Sequence, residues 1–269
     1  MNASTRAGAR AAPAAMHALI RTNARLWAGE AEIFATYFTS PLRTAASDAA
    51  WLARQCCKEM VDGVVGRLTR ITRPQLSFVD THAAAAAALA DDLVRVELKH
   101  YIAFAIAYRC ALQEAAGAPV DTAHIGADWP ENTELQSLRA QQRRAFGVLG
   151  ERAAAFTEGG YCTLYRAGLA LAGRSARDDA IASACAQVMA DEWEHMIVGI
   201  AGLAEVPLEP ADWARLEQLT LAQGRCRLRM RNAQFGYPLS TARIAALAAG
   251  AAAPLAFDYT RAGLCEEQE

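Results

Sequence analysis

A chain of 269 residues, 53% of them hydrophobic, is long enough to bury a substantial core, and abundant Ala with few Pro and few β-branched residues favours helices over sheets. A net charge of −2 excludes a general attraction to nucleic acid or to an anionic membrane, and no apolar run reaches the roughly 20 residues that span a bilayer. Seven Cys, an odd number without paired spacing, point to reduced thiols and a cytoplasmic location; the adjacent Cys56 and Cys57 cannot form an ordinary disulfide with each other.

The first 29 residues hold no acid and four Arg, a composition shared with transit peptides. Pro13, His17 and Arg21 interrupt any signal-peptide core, so the expectation is a loose tail over residues 1–11 and then a helix to about Phe38. Thr39-Ser40-Pro41 ends it. A second helix is expected from about Ser47 to Arg70, stopped by Arg73-Pro74. A third begins near Thr81, crosses the run Ala83–Ala88 and continues to Ala116 and Gly117. Residues 117–132 are rich in Gly, Pro, Asp and Asn and read as a long connection. Thr133-Glu-Leu-Gln136 fits a capping box and predicts a fourth helix to about Gly173. Ser175 caps a fifth, from Ala176 to about Glu205. Two more helices follow, one starting near Pro210 and one over Ser240–Ala252, before a polar tail.

Two copies of Glu-x-x-His, at Glu97–His100 and Glu192–His195, carry the chemistry. Residues three apart on a helix share a face, so each pair points a carboxylate and an imidazole in one direction. Two such pairs, with one Glu from each of two further helices, build a carboxylate-bridged di-iron site in a four-helix bundle. With the last turn of the bundle near residue 175, Glu158 and Glu192 each lie 17 residues from it, which in an antiparallel pair puts both carboxylates at one depth. On the first bundle helix Glu59 fits the depth better than Asp62, which is kept as a substitute or as a group behind the ligands. His17, His82 and His124 lack comparable partners and read as surface or capping residues, and Glu194 points away from Glu192. Gly159-Gly160, following Glu158 in an expected helix interior, admits close helix packing, a π-bulge, or room for oxygen or substrate. Tyr161 and Tyr165 lie three and seven residues past Glu158 and read as core packing, with a redox-active or hydrogen-bonding role near the metals as the other option. Arg225, Arg227, Arg229 and Arg231 read as a solvated face over an apolar strip, with phosphate, a carrier protein or an acidic partner as the other option.

Glu59, Glu97-x-x-His100, Glu158 and Asp191-Glu192-x-x-His195 together resemble the ferritin-like di-iron carboxylate superfamily. That group includes ribonucleotide reductase small subunits, acyl-carrier-protein desaturases, bacterial multicomponent hydroxylases and arylamine N-oxygenases. The resemblance covers about residues 47–205. It implies an all-α ferritin-like four-helix bundle with one long crossover, flanked by an N-terminal tail and helix (1–46) and by C-terminal helices and a tail (206–269) packed on the bundle. Implied ligands are Glu59, Glu97, His100, Glu158, Glu192 and His195, holding two iron ions (Fe/Fe, or Mn/Fe) with O2 as co-substrate. By that likeness Asp191 would orient a ligand His, namely His100; the first motif has Val96 in the corresponding place. The implied activity is an O2-dependent oxidoreductase, a monooxygenase, hydroxylase or N-oxygenase or else a desaturase. Its substrate would be a small or carrier-bound organic molecule, its electrons would come from a ferredoxin or reductase, and a homodimer is compatible. An iron-oxidising storage protein and a metal-free helical interaction protein are the alternatives.

Overall fold

The computed structural model describes residues 12–59, 92–116 and 129–265, and over these the chain is helical, with no strand. The helices are α1 (Ala14–Thr39), α2 (Ala45–Lys58), α3 (Asp92–Ala116), α4 (Pro130–Phe146), α5 (Val148–Thr157), α6 (Thr163–Leu169), α7 (Ala176–Ala201), α8 (Pro210–Gln234) and α9 (Thr241–Ala248). No helix among the described residues is long and apolar enough to cross a membrane. All seven thiols are free. The ends of the second and the start of the third expected helix, with Asp62, the Ala83–Ala88 run, His82 and most of the 117–132 connection with His124, lie outside the described residues.

Caps explain most boundaries. Thr44, not Ser47, begins α2: the Thr44 hydroxyl accepts from the Ser47 amide while the Ser47 hydroxyl accepts from the Thr44 amide, a reciprocal box. Ser175 caps α7 through the Asp178 amide, and Ser240 caps α9 through the Arg243 amide. Helix α4 starts three residues before the expected Thr133. Pro130 occupies its first turn, where a missing N–H is harmless and the fixed φ is already helical. Thr133 instead donates its hydroxyl back to the Trp129 carbonyl at 3.4 Å.

Two layers place the site. In the first, α3 runs antiparallel to α7: His100 meets Asp191 near one end and Glu114 meets Arg177 near the other. Helix α2 packs on α3, and α5 and α6 pack on α7. In the second, α1 and α8 run parallel at constant register, since Asn23–Thr220 and Glu30–Arg227 are both 197 residues apart. Helix α4 lies antiparallel on α8 through Arg139–Gln223 and Gln142–Leu219. The interior between layers is polar where α8 faces it. Arg227 donates two hydrogen bonds to Glu30 (2.8 and 2.9 Å), with both residues buried. Arg225 and Arg229 are exposed, and Arg229 pairs with Glu134. Alternate residues of a helix lie on opposite sides, so the expected single basic face is in fact two, and the inward one carries Arg227 and Arg231.

The helix expected over residues 133–173 is broken twice. Gly147 takes a φ of +51° and lets α5 turn back so tightly that a side chain at Gly150 would overlap the Gln142 carbonyl. The second break is a left-handed turn: Gly159, Gly160, Tyr161 and Cys162 have φ values of 70°, 54°, 55° and 54°. For each of the two non-Gly residues this conformation costs about 1–2 kcal/mol. Tertiary contacts hold it. Tyr161 stacks on Trp27 at 5.0 Å, and its hydroxyl accepts from the Asp258 amide at 2.8 Å. Thr163 donates to the Gly160 carbonyl at 3.0 Å. Neither close helix packing alone nor a π-bulge accounts for the two glycines, because α5 and α6 are separate rods. Their pairing with α7 nonetheless keeps one register across the break, with Ala155 against Gly199 before it and Gly168 against Cys185 after it.

His17, expected at the surface, is 3% exposed and lies 5.0 Å from the Tyr259 ring. The irregular C-terminal segment carrying Phe257 and Tyr259 covers it.

Candidate metal centre

Four separate elements bring the carboxylates together. Glu59 closes α2, Glu97 sits on α3, Glu158 ends α5 and Glu192 lies mid-way along α7. Glu59, Glu97 and His100 are all buried and offer ligand atoms within 4.8 Å of one another. His100 Nδ1 lies 3.8 Å from a Glu97 oxygen and 3.7 Å from Glu192 Oε1. The same Glu192 oxygen is 4.0 Å from His195 Nδ1. The two imidazoles therefore flank one carboxylate and can be no farther apart than those two distances laid end to end. Glu158 is exposed and lines the same cavity as Glu192.

The state of His100 is the informative detail. Its Nε2 lies 3.2 Å from Asp191 Oδ2, and an ionised carboxylate only accepts. Nε2 therefore carries a proton, an assignment that follows from the partner. Nδ1 is fully buried and without a hydrogen-bond partner, facing two carboxylates at a separation too long for a hydrogen bond. Lys99 also approaches Asp191, at 3.7 Å, from the solvent side.

Electrostatics point the same way. Burial above all raises the Glu192 carboxyl to about 8; Lys58 opposes it, and the Glu59, Glu158 and Glu97 carboxylates each add a smaller upward push. Tyr165 is buried beside the cluster. Burial first, then Glu192 and Glu59, raise its phenol well above the usual range, so the hydroxyl keeps its proton at neutral pH.

A cavity of about 240 Å³ opens onto this group. Glu59, Glu97, Glu158 and Glu192 form one side, together with Tyr165. Basic residues line it as well: Lys58, 3.7 Å from Glu59, Arg143, paired with Glu151, and Arg139, Arg227 and Arg231. A second, more open hollow lies beyond Glu158 and is lined by Arg152, Glu194, His195 and Val198. Glu158 belongs to both, and it is exposed, as is Glu194.

Of the residues singled out in the sequence, Glu59, Glu97, His100, Glu158, Glu192 and His195 meet here and Asp191 stands behind His100. Asp62 lies outside the described residues. The two tyrosines separate. Tyr165 lines the cavity, whereas Tyr161 is turned by the left-handed turn into an aromatic group with Trp27, Trp193 and Phe257. The sequence reading missed the basic lining, above all Arg227 and Arg231. The signal was present: Gln223, Arg227 and Arg231 recur every four residues beside the buried Cys226, Leu228 and Met230, which marks a polar stripe facing inward. No protein-family model, curated protein or solved structure matches the chain.

Proposed function

We propose that the protein is an O2-dependent, non-haem di-iron oxidoreductase acting on a small organic molecule, and that α2, α3, the α5–α6 pair and α7 constitute a ferritin-like four-helix bundle. The observation that carries this is His100: a buried Nδ1 without a hydrogen-bond partner, facing two carboxylates, with its Nε2 engaged by Asp191. That is the arrangement of a histidine prepared for a cation, its tautomer set by an outer carboxylate. The residues fit two ions. Glu59, Glu97 and His100 would hold one, Glu158 and His195 the other, with Glu192 reaching both imidazoles from a single oxygen.

When bound, the iron pair would activate O2 and supply the oxidising power. The rest falls to the chain. Glu192 moves between a protonated and an ionised state near neutral pH, and a bound cation favours the ionised one. Tyr165 holds a proton on its hydroxyl at the cavity edge. A separate ferredoxin or reductase would deliver electrons. An iron store is the second reading. The basic residues lining the cavity beside the cluster favour the enzyme, because storage requires no binding place for an organic molecule.

Metal analysis of protein purified from iron-supplemented cells tests the proposal. About two iron or manganese ions per chain are expected, falling sharply in Glu97→Ala and His100→Ala, with O2 uptake on aerating the Fe(II)-loaded protein. Metal-free wild-type protein would exclude the reading. A large hollow assembly in light scattering would move it to storage.

A further inference from the structure

We propose that Arg231 and the basic residues around it receive the anionic head group of the substrate, which is thereby a small organic carboxylate; the inference rests on the di-iron reading of the adjoining cluster. Arg231 is 2% exposed and lines the cavity. Its Nη1 donates to two neutral oxygens, Gln234 Oε1 at 2.6 Å and Gln55 Oε1 at 3.2 Å. Its Nε is buried and makes no hydrogen bond. Glu30, 3.9 Å from that Nε, is already engaged through both oxygens by Arg227. Two guanidinium groups thus share one carboxylate.

Charge counting across the cavity sharpens the point. Four glutamates around two divalent ions sum to zero, so a loaded cluster leaves the Arg231 charge without a counterion. A buried, uncompensated cation is unfavourable, and an anion in the cavity relieves it. A guanidinium pairs with a carboxylate through charge-assisted N–H···O bonds, which a neutral ligand cannot reproduce. Position fits as well. Gln55 accepts from Arg231 and donates to Glu59, so the head group and the metal-facing carboxylates lie one side chain apart. A molecule anchored at Arg231 places its next few atoms at the cluster. The cavity, at about 240 Å³, falls just under the about 300–1,000 Å³ of drug-sized sites, which suits a metabolite and not a carrier-tethered chain.

Calorimetry on anaerobic, Fe(II)-loaded protein with benzoate and hexanoate, each against its neutral amide, tests the proposal. Both carboxylates are expected to bind at least about tenfold more tightly than their amides. Arg231→Gln should remove that preference with metal content unchanged, and Arg231→Lys should keep part of it. Equal binding of acids and amides, or an undiminished preference in Arg231→Gln, overturns the proposal; the latter would mean direct ligation to iron. If Arg231→Gln does not fold, the wild-type contrast and Arg231→Lys decide. Metal analysis of the same samples separates the two ideas. Absent metal ends the di-iron reading and this inference with it, whereas full metal without acid preference ends only this one.

Discussion

Asp191 acts on the cluster only through His100, which makes it a positioning residue with a measurable signature. Removing it frees the imidazole to rotate and to carry its proton on either nitrogen. Asp191→Ala is expected to weaken metal binding about 10–100-fold in a chelator competition, with little change in the melting temperature of the metal-free protein. Equal affinity in variant and wild type would show that packing alone orients the ring. At this scale the sequence was informative, because three-residue spacing on a helix is geometry that tertiary structure rarely overrides. The pairing of Asp191 with His100 came from the family likeness, and the 3.2 Å contact now stands on coordinates. What spacing could not show is which side of a helix faces in when polar residues occupy both. Arg225 and Arg227 look alike in sequence, and only the layer formed by α1 and Glu30 separates them.

The broken rod α5–α6 is the element where local and tertiary preferences compete. Most of residues 148–169 favour helix, and two glycines alone cost a helix about 2 kcal/mol, an amount packing routinely absorbs. That is why a continuous helix was the natural reading. The decisive fact lies elsewhere in the chain: the space a Gly160 side chain would need is taken by Arg227 Nη2 and the Glu30 carboxylate. Gly160→Ala should therefore strain a positive φ and also displace the buried ion pair, lowering stability by about 3 kcal/mol, or roughly 6–10 °C in melting temperature. Gly159→Ala has only the backbone penalty, about 1 kcal/mol, since its nearest neighbour would be Met196 Cβ at 3.7 Å. Scanning calorimetry of the two variants distinguishes them. Comparable losses would mean that the ion pair moves aside freely. The start of α4 shows the same competition in miniature, with proline chemistry at Pro130 prevailing over a capping pattern three residues on.

For the whole molecule, burying Glu192 beside Glu59, Glu97 and Glu158 makes stability depend on pH. Glu192 titrates at about 8 in the folded chain against an ordinary 4.5. Below the lower value both folded and unfolded chains hold the proton. Between the two, unfolding releases it, so the stability of the metal-free protein falls as pH rises toward 8, and above that the penalty is complete. Urea unfolding of chelator-treated protein at pH 5 and pH 8.5 should show this decline, and saturating divalent metal should abolish it. A flat profile would mean that water already hydrates the carboxylate. The helical class was readable from composition and periodicity over the whole chain. The second layer was not, because α1 and α8 meet through a register of 197 residues that no local pattern encodes. One consequence concerns traffic. Glu158 alone among the four carboxylates is open to solvent, and it stands where the two hollows adjoin. On the proposed di-iron reading, an ion arriving from bulk would meet that side chain first and pass inward to Glu192. Glu158→Gln should accordingly slow the rate of iron uptake in stopped-flow more than it reduces the final load, which would make this glutamate a ferryman first.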